Sequence, residues 1–167
     1  MFCFVEGQDD EIFFKHILLQ SENITFYQFA KKTSSQVNKL INSLNSMNEP
    51  YLFFADSDGN TIYEKKKKIL EKFPRVLPAN LFIVQYEIES WFLAGVNQAL
   101  SDTYHFKKYY KTTNSVTKEM FLDCISLVRD TRLNILLKIL AVYNCSLAEN
   151  RNNSFASFYH YNQSICI

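Results

Sequence analysis

The stretch YLFFADSDGN, residues 51–60, runs from five apolar residues directly into two aspartates one residue apart, followed by glycine and asparagine. A continuous apolar run of this length is typical of a strand that is buried on both faces. The residues after it fit two interpretations. Asp, Ser, Gly and Asn favour turns and helix N-caps, whereas two carboxylates at the end of a buried strand are typical of a metal site. The choice between a turn and a metal site depends on the rest of the sequence.

Short apolar runs alternate with amphipathic stretches over residues 1–100, and this alternation predicts an α/β fold. The predicted strands cover 2–5, 23–29, 51–55 and 81–84, and the predicted helices cover 9–20, 34–47, 61–73 and 87–100. Strands that are apolar throughout predict a four-stranded, mostly parallel sheet flanked by helices. Helices alone are predicted after residue 100, over 115–130, 131–150 and 154–161. We therefore expect an α/β core over 1–100 and a helical C-terminal part, 101–167, of the same domain.

Composition narrows the class of protein. Apolar residues make up 47% of the 167 positions and Gly and Pro occur three times each, which is typical of one globular domain. Lys and Arg number 18 against 17 Asp and Glu, so a nucleic-acid partner would have to be met by a local basic patch. The four cysteines form no C-x-x-C pair, which argues against a zinc knuckle.

No apolar run is long enough to cross a membrane and no signal peptide is recognisable, so we expect a cytoplasmic protein with no membrane association.

Acidic residues follow three of the four predicted strands. Glu6 comes after the first strand, Asp56 and Asp58 after the third, and Glu87 and Glu89 after the fourth. Ligands of parallel α/β sheets bind beyond the carboxyl ends of the strands, so these side chains are expected at one edge. Gathered carboxylates repel one another unless a cation neutralises them, and Mg²⁺ prefers oxygen ligands. In an extended D-x-D segment both aspartates would point to one face. The sequence therefore predicts a Mg²⁺ site.

Each group of acids also has a purely structural interpretation. Residues 56–60 could form a turn and supply the N-cap of the next helix. Asp9 and Asp10, like Glu87 and Glu89, stand where negative charge suits a helix N-terminus. The coincidence of all the groups at strand ends favours the metal site.

Four segments resemble the Toprim fold, the catalytic domain of topoisomerases, primases and nucleases of the overcoming-lysogenization-defect type. FVEGQDD (4–10) resembles its first motif, with Asp10 in the place of the second acid of the nucleases, and FFADSDG (53–59) resembles its strand-terminal D-x-D motif. YEIESWFLAG (86–95) and NSFASFYHY (153–161) resemble segments of small stand-alone Toprim-like bacterial proteins. The resemblance spans most of the chain.

The resemblance implies a metal-dependent nuclease or related phosphoryl-transfer enzyme that acts on DNA or RNA. Glu6, Asp56 and Asp58 would be catalytic and would hold Mg²⁺ or Mn²⁺, with Glu6 as a general acid or base. Asp10 and either Glu87 or Glu89 would complete a second metal position. Analogy adds a role in bacterial anti-phage defence, with a partner ATPase and a homo-oligomeric state as further expectations. No domain carrying a tyrosine nucleophile is recognisable, which argues against a topoisomerase.

Two alternatives to a nuclease remain. The first is a catalytically silent Toprim-like module that binds a metal, a nucleotide or a partner protein. The second is a phosphatase of the haloacid-dehalogenase type, whose D-x-D-G motif fits residues 56–59. That family places the motif near its N-terminus and needs a later acidic pair, and no Asp-Asp follows position 59.

Two lysine-rich segments are candidates for contact with phosphates. HFKKYYK (105–111) interleaves Lys107, Lys108 and Lys111 with aromatic residues, a mixture suited to single-stranded nucleic acid and equally compatible with a solvated surface. For the predicted helix over 61–73, a solvated face is the favoured interpretation of its run of lysines at 65–68. Further candidates for a basic surface are Arg129, Arg132 and Arg151. Trp91 is expected in the core.

Overall fold

The computed structural model describes residues 1–18 and 23–161, which pack as two compact units that meet in sequence between Val84 and Gln85. The elements of the first unit, in chain order, are β1 (Phe2–Val5), α1 (Gln8–Ile17), β2 (Thr25–Gln28), α2 (Ser34–Ser46), β3 (Tyr51–Asp56), α3 (Ile62–Lys72) and β4 (Leu81–Val84). All four predicted strands are present. The prediction that the first and last parts of the chain form one domain stays a prediction.

The four strands form one parallel sheet in the order β2-β1-β3-β4. The two central strands, β1 and β3, are neighbours, with Phe4 opposite Phe53. Leu81 of β4 lies opposite Phe53 on the other side of β3. The predicted α/β class with a parallel four-stranded sheet is thereby confirmed, and the ends of β1 and β3 lie side by side.

Both faces of the sheet are covered by apolar side chains, which explains why β3 does not alternate between apolar and polar residues. On one face, the ring of Phe53 stacks on Phe4 at 5.4 Å and contacts Phe29 at 4.5 Å, between ring centroids. On the other face, Phe54 stacks on Phe14 of α1 at 3.8 Å. The helices α2 and α3 contribute to the first of these faces, whose buried members are Phe4, Phe29, Val37, Ile41, Leu44, Tyr51, Phe53, Ala55, Ile69, Phe73, Val76, Leu81 and Ile83.

Threonine side chains start two helices of this unit. Thr33 caps α2 by accepting a hydrogen bond from the Gln36 amide, and Thr61 caps α3 in the same way from Glu64. In both capping boxes the side chain of the third helical residue accepts a hydrogen bond from the backbone amide of the threonine. Two backbone amides at each helix start, which would otherwise lack an acceptor, are thereby paired. The alternative interpretation in which residues 56–60 supply the N-cap of α3 is wrong, because the N-cap is Thr61.

The second unit begins at Gln85 and is helical. Its elements are α4 (Ile88–Ala94), α5 (Gln98–Thr103), α6 (Lys118–Cys124), α7 (Arg132–Ala141), α8 (Cys145–Arg151) and α9 (Asn153–Tyr161). The predicted helix over 87–100 is wrong in length, because α4 ends at Ala94 and a separate helix, α5, begins at Gln98. Gly95 is the C-cap of α4, and a side chain at this position would collide with the ring of Tyr143. The predicted helix over 131–150 is likewise interrupted, since Asn144 caps a new helix.

The core of the second unit is built around Trp91, as predicted. Its side chain is fully buried and its indole nitrogen donates a hydrogen bond of 2.8 Å to the Ser154 hydroxyl. Phe158 stacks on the indole with ring centroids 5.4 Å apart. These contacts join α4 to α9, so the C-terminal Ser-Phe segment has a packing function.

The helices of both units are short. Among residues 1–18 and 23–161 the longest is α2, with 13 residues. No helix in this part of the chain has both the length and the apolar character that spanning a lipid bilayer requires.

Replacing the central ring of the sheet should strongly destabilise the protein. Phe53→Ala removes a fully buried side chain and leaves a cavity among the other rings, so we expect the free energy of unfolding to fall by about 3–5 kcal/mol. Guanidinium denaturation measures it. The control Tyr63→Ala alters a side chain that is 79% exposed and should change the free energy by less than about 0.5 kcal/mol. Equal losses for the two variants would contradict this account of the core.

Candidate functional site

The carboxyl ends of β1 and β3 bring Glu6 and Asp56 together. The backbone amide of Asp56 donates a hydrogen bond of 3.1 Å to Oε1 of Glu6, across 50 positions of sequence. The contact follows from parallel pairing, because adjacent parallel strands end at the same edge of a sheet. We call Glu6, Asp56 and the neighbouring Asp58 the acidic edge.

A tight turn follows β3 and sets the direction of Asp58. Asp58 has a φ of 49° and Gly59 a φ of 75°, so both residues adopt the left-handed conformation. Asn60 closes the turn, since its side-chain Nδ2 donates a hydrogen bond of 2.8 Å to the Ser57 carbonyl and its backbone amide donates one of 2.9 Å to the same oxygen. The extended conformation assumed for the D-x-D segment therefore ends before Asp58, and the expectation that both aspartates point to one face stays a prediction. The interpretation of residues 56–60 as a turn is confirmed.

Lys65 of α3 joins two members of the acidic edge. Its Nζ lies 2.5 Å from Oδ2 of Asp58 and 3.8 Å from Oε1 of Glu6. The side chain is only 11% exposed, so the interpretation of residues 65–68 as a solvated face is wrong for Lys65. It remains right for Lys67 and Lys68, which are exposed.

A helical period in the sequence could have revealed that Lys65 faces inward. Lys65 stands four residues before Ile69 and eight before Phe73, and both of these are buried. Residues at this spacing share one face of a helix. The place of Lys65 on the same helix face as two apolar residues is therefore a signal of burial. It is hard to notice because Lys65 belongs to a run of four lysines.

The environment of Glu6 disfavours its ionised form. Burial raises the pKa of the Glu6 carboxyl above its ordinary value, and the negative charge of Asp58 raises it further. The Lys65 ammonium and the Asp56 amide act in the opposite direction without cancelling the rise. The protonated form of Glu6 is therefore more favourable in the folded protein than it is for a carboxyl group in water.

Asp10 is buried at the start of α1 and takes part in a helix cap. Its Oδ2 accepts a hydrogen bond of 3.0 Å from the Gly7 amide, as the third residue of a capping box does. The structural interpretation of Asp10 as a helix N-terminal acid therefore has direct support. Its predicted part in a second metal position stays a prediction.

Glu87 and Glu89 belong to the second unit and have partners there. Oε2 of Glu87 accepts a hydrogen bond of 2.6 Å from the Lys118 amide at the start of α6. Glu89, whose side chain is 4% exposed, forms a salt bridge of 2.6 Å with Arg132. These contacts give both residues a structural function, and their predicted metal ligation stays untested.

The oxygen atoms of the acidic edge fit a hard cation in chemical class. Three carboxylates are the type of ligand that Mg²⁺ and Mn²⁺ take. Nevertheless, among residues 1–18 and 23–161 no group of three or more His, Cys, Asp and Glu side chains is arranged so that it could hold a metal ion. The arrangement of Glu6, Asp58 and Lys65 is that of an ion-pair cluster.

The lysines predicted to contact nucleic acid lie in the second unit and are exposed. Lys107 forms a surface salt bridge of 2.7 Å with Asp123. The Lys108 ammonium lies 4.7 Å from the centre of the Tyr110 ring, and Lys111 is open to solvent. Their exposure is compatible with phosphate contact and with a solvated surface alike.

The aromatic residues between these lysines are held by Arg151, which the sequence had suggested for a basic surface. The Arg151 guanidinium donates to the carbonyl of Ala94 at 3.0 Å and also to the carbonyls of Val96 and Tyr110. It lies 4.6 Å from the centre of the Tyr109 ring. The residue is 5% exposed, so a surface function for Arg151 is wrong. It anchors the 105–111 segment from within.

Comparison of the chain with models of protein families, with curated proteins and with solved structures gives no match. The Toprim assignment therefore depends on the quoted motifs and stays a prediction.

The raised pKa of Glu6 makes a testable contribution to stability. Ionising Glu6 costs the folded state more than the unfolded state, so this cost develops as the pH rises from the ordinary value of 4.5 towards the higher folded pKa. The isosteric variant Glu6→Gln has no group to ionise at this position and therefore lacks the cost. We expect the unfolding free energy of the unmodified protein, relative to that of the variant, to fall as the pH rises from 4.5 to the folded pKa of Glu6, and to level off at higher pH.

Denaturation curves of both proteins at several pH values measure this difference. Glu71→Gln is the control, because Glu71 is exposed and should give a difference without this slope. A relative stability that stays constant or rises through the window would contradict the raised pKa of Glu6.

The pair of Glu89 and Arg132 predicts a second effect on stability. Arg132→Met leaves a carboxylate that is 4% exposed without its cation, and we expect a loss of about 3 kcal/mol in unfolding free energy. The double variant Arg132→Met/Glu89→Met should be less destabilised than Arg132→Met alone. Chemical denaturation measures both. The control Lys107→Met breaks the surface salt bridge of Lys107 with Asp123 and should lower the unfolding free energy far less than Arg132→Met does. A double variant as unstable as the single one would contradict a structural ion pair.

Proposed function

We propose that the protein is a Mg²⁺- or Mn²⁺-dependent phosphoryl-transfer enzyme that hydrolyses phosphodiester bonds of DNA or RNA. The observation that carries the proposal is the hydrogen bond of 3.1 Å from the backbone amide of Asp56 to Oε1 of Glu6, at the ends of adjacent parallel strands. Asp58 is linked to Glu6 through Lys65. Strand ends of this kind are where α/β enzymes bind their ligands.

In this proposal the acidic edge binds the metal. Glu6, Asp56 and Asp58 supply oxygen ligands, and the bound ion would activate water and stabilise charge on the phosphate. Glu6 also suits proton transfer, because burial and the charge of Asp58 raise the pKa of its carboxyl. Asp56 is the last residue of β3, which holds its backbone beside Glu6.

The proposed substrate is a polyanion, and the exposed lysines at 107, 108 and 111 have the chemistry to contact its phosphates. The near-neutral balance of charges over the whole chain means that binding would depend on such local groups. A role in anti-phage defence with a partner ATPase is proposed by analogy with the Toprim nucleases alone.

A second candidate is a module that binds a nucleotide or a partner without cutting it. The salt bridges of Lys65 to Asp58 and Glu6 favour it, since the ammonium already neutralises part of the charge of the acidic edge. In such a protein the acidic edge would be a structural cluster and no divalent ion would be needed.

Cleavage assays distinguish the two candidates. The purified protein is incubated with single-stranded and duplex DNA and RNA in the presence of Mg²⁺ or Mn²⁺. We expect cleavage that falls at least about 100-fold in Glu6→Gln and in Asp56→Asn, because each variant removes a charged oxygen from the acidic edge.

Glu71→Gln serves as the matched control, because it removes an exposed carboxylate of α3 and should leave cleavage unchanged. Circular dichroism establishes that each variant is folded. Absence of cleavage by the unmodified protein, together with Mn²⁺ affinity that neither Glu6→Gln nor Asp56→Asn changes, would overturn the enzymatic proposal and leave the binding module.

A further inference from the structure

One side of α3 forms an open groove on the surface of the first unit. The groove has a volume of about 490 Å³, which lies within the range of small-ligand sites. Five residues at the helical spacing i, i+3, i+4, i+7 and i+8 line it, and these are Tyr63, Lys66, Lys67, Leu70 and Glu71. Residues at this spacing share one face of a helix. We call the first four of them the α3 groove.

The α3 groove is separate from the acidic edge. Tyr63 and Lys67 stand two residues before and two residues after Lys65, so they project from the opposite side of the helix. Lys65 is buried against the acidic edge, whereas Tyr63 and Lys67 are exposed. A ligand in the α3 groove would therefore not contact the ion pairs of Lys65.

The lysines of the α3 groove have charges that are available to a ligand. Within residues 1–18 and 23–161, the ammonium group of Lys66 has no ion-pair partner. Lys67 lies 4.0 Å from Glu71, but the two side chains are 67% and 66% exposed, and a surface pair of this kind contributes little. The whole helix carries five lysines against two glutamates, in a chain whose charges nearly balance. This local excess of positive charge is complementary to a polyanion.

The ring of Tyr63 indicates which polyanion fits. Its side chain is 79% exposed, more than any other large hydrophobic side chain that the structure describes. Beside it, the partly buried Leu70 packs against the core of the sheet and supplies apolar surface. Single-stranded nucleic acid is bound by this combination, because its bases stack on exposed rings while its phosphates contact cations.

Two other anionic partners fit the α3 groove less well. The bases of a duplex are stacked on one another and are not free to stack on a protein ring. A helix that lies on an anionic membrane exposes a broad apolar face. The α3 groove has instead one exposed ring and one partly buried leucine.

We propose that the α3 groove binds single-stranded nucleic acid, with a base stacked on Tyr63 and phosphates at the ammonium groups of Lys66 and Lys67. Glu71 contributes no contact, because a carboxylate does not attract phosphate. The inference goes beyond the proposed function, since it concerns a different surface and requires neither a metal ion nor cleavage.

Fluorescence anisotropy of a labelled oligothymidylate measures the binding, with EDTA present so that cleavage does not interfere. A length of about 12 nucleotides lies within the site sizes of single-strand binders. We expect Tyr63→Ala to bind at least about fivefold more weakly than the unmodified protein, because the stacking of a base is lost. Tyr63→Phe keeps the ring and should bind like the unmodified protein. The duplex of the same length should bind more weakly than the single strand.

The salt dependence of the binding tests the lysines separately. Each phosphate contact releases counterions, so Lys66→Gln/Lys67→Gln should weaken binding and should reduce the slope of log affinity against log salt by about 0.7 for each lysine. Tyr63→Ala removes no charge and should leave this slope unchanged. The matched control Lys31→Gln/Lys39→Gln removes two exposed lysines from the same unit and should change neither the affinity nor the slope.

Three outcomes would overturn the inference. The first is a Tyr63→Ala variant that binds the oligothymidylate as tightly as the unmodified protein, since the ring would then make no contact. The second is a Lys31→Gln/Lys39→Gln control that loses as much slope as Lys66→Gln/Lys67→Gln, since the attraction would then be diffuse. The third is equal affinity for polyglutamate and the oligothymidylate, which would assign the α3 groove to acidic polypeptides.

These outcomes are independent of the cleavage assay. Failure of cleavage with Mg²⁺ or Mn²⁺ would leave binding at the α3 groove intact, and loss of the α3 groove would leave the proposed role of the acidic edge intact. Circular dichroism establishes that each variant is folded. Should Lys66→Gln/Lys67→Gln fail to fold, Lys67→Gln alone takes its place, with half the expected change in slope.

Discussion

The parallel pairing of β1 with β3 is the constraint on which the rest of the first unit depends. It sets Phe4 opposite Phe53 in the centre of the sheet, and it sets Glu6 beside Asp56 at the edge. The two consequences are linked, because the buried rings fix the register that aligns the strand ends. A shift of one residue would turn the apolar side chains of a strand to the opposite face and would also separate the acids. The core and the acidic edge therefore share one structural cause.

Charge compensation decides the chemistry of the acidic edge. Carboxylates at the end of two buried strands need a cation, and the described chain supplies one of its own in Lys65. Even with this partner, burial and the charge of Asp58 keep the pKa of Glu6 above its ordinary value. The site thus combines a carboxyl group of raised pKa with an internal counter-charge. Both properties are compatible with phosphoryl transfer, and the ion pairs by themselves are equally compatible with a binding module.

Acids that look alike in the sequence have different partners in the two units. Glu6 is paired with a strand-end amide and a lysine. By contrast, Glu89 is buried and forms a salt bridge with the partly exposed Arg132, and Glu87 accepts a hydrogen bond from the first amide of α6. An ion pair with a buried member, such as that of Glu89 and Arg132, is costly to break and holds helices in place. Arg151 has a comparable function, since its guanidinium ties three backbone carbonyls together. In the second unit, charged residues that suggested a ligand surface serve to order the helices.

The sequence by itself determined the α/β class, the order of strands and helices in the first unit, the sharp turn at Gly59 and the burial of Trp91. All of these depend on local periodicity, turn preference or side-chain size, which a single stretch of chain carries. The breaks at Gly95 and Asn144 were missed because the apolar pattern continues across them. The ring of Tyr143, which leaves no room for a side chain at position 95, reaches that position only in the packed chain. Only the tertiary structure decided that Lys65 points into the acidic edge and that Glu89 faces Arg132. Such pairs join residues that are far apart in sequence, and their distance is set by strand order and helix packing, which no local pattern records.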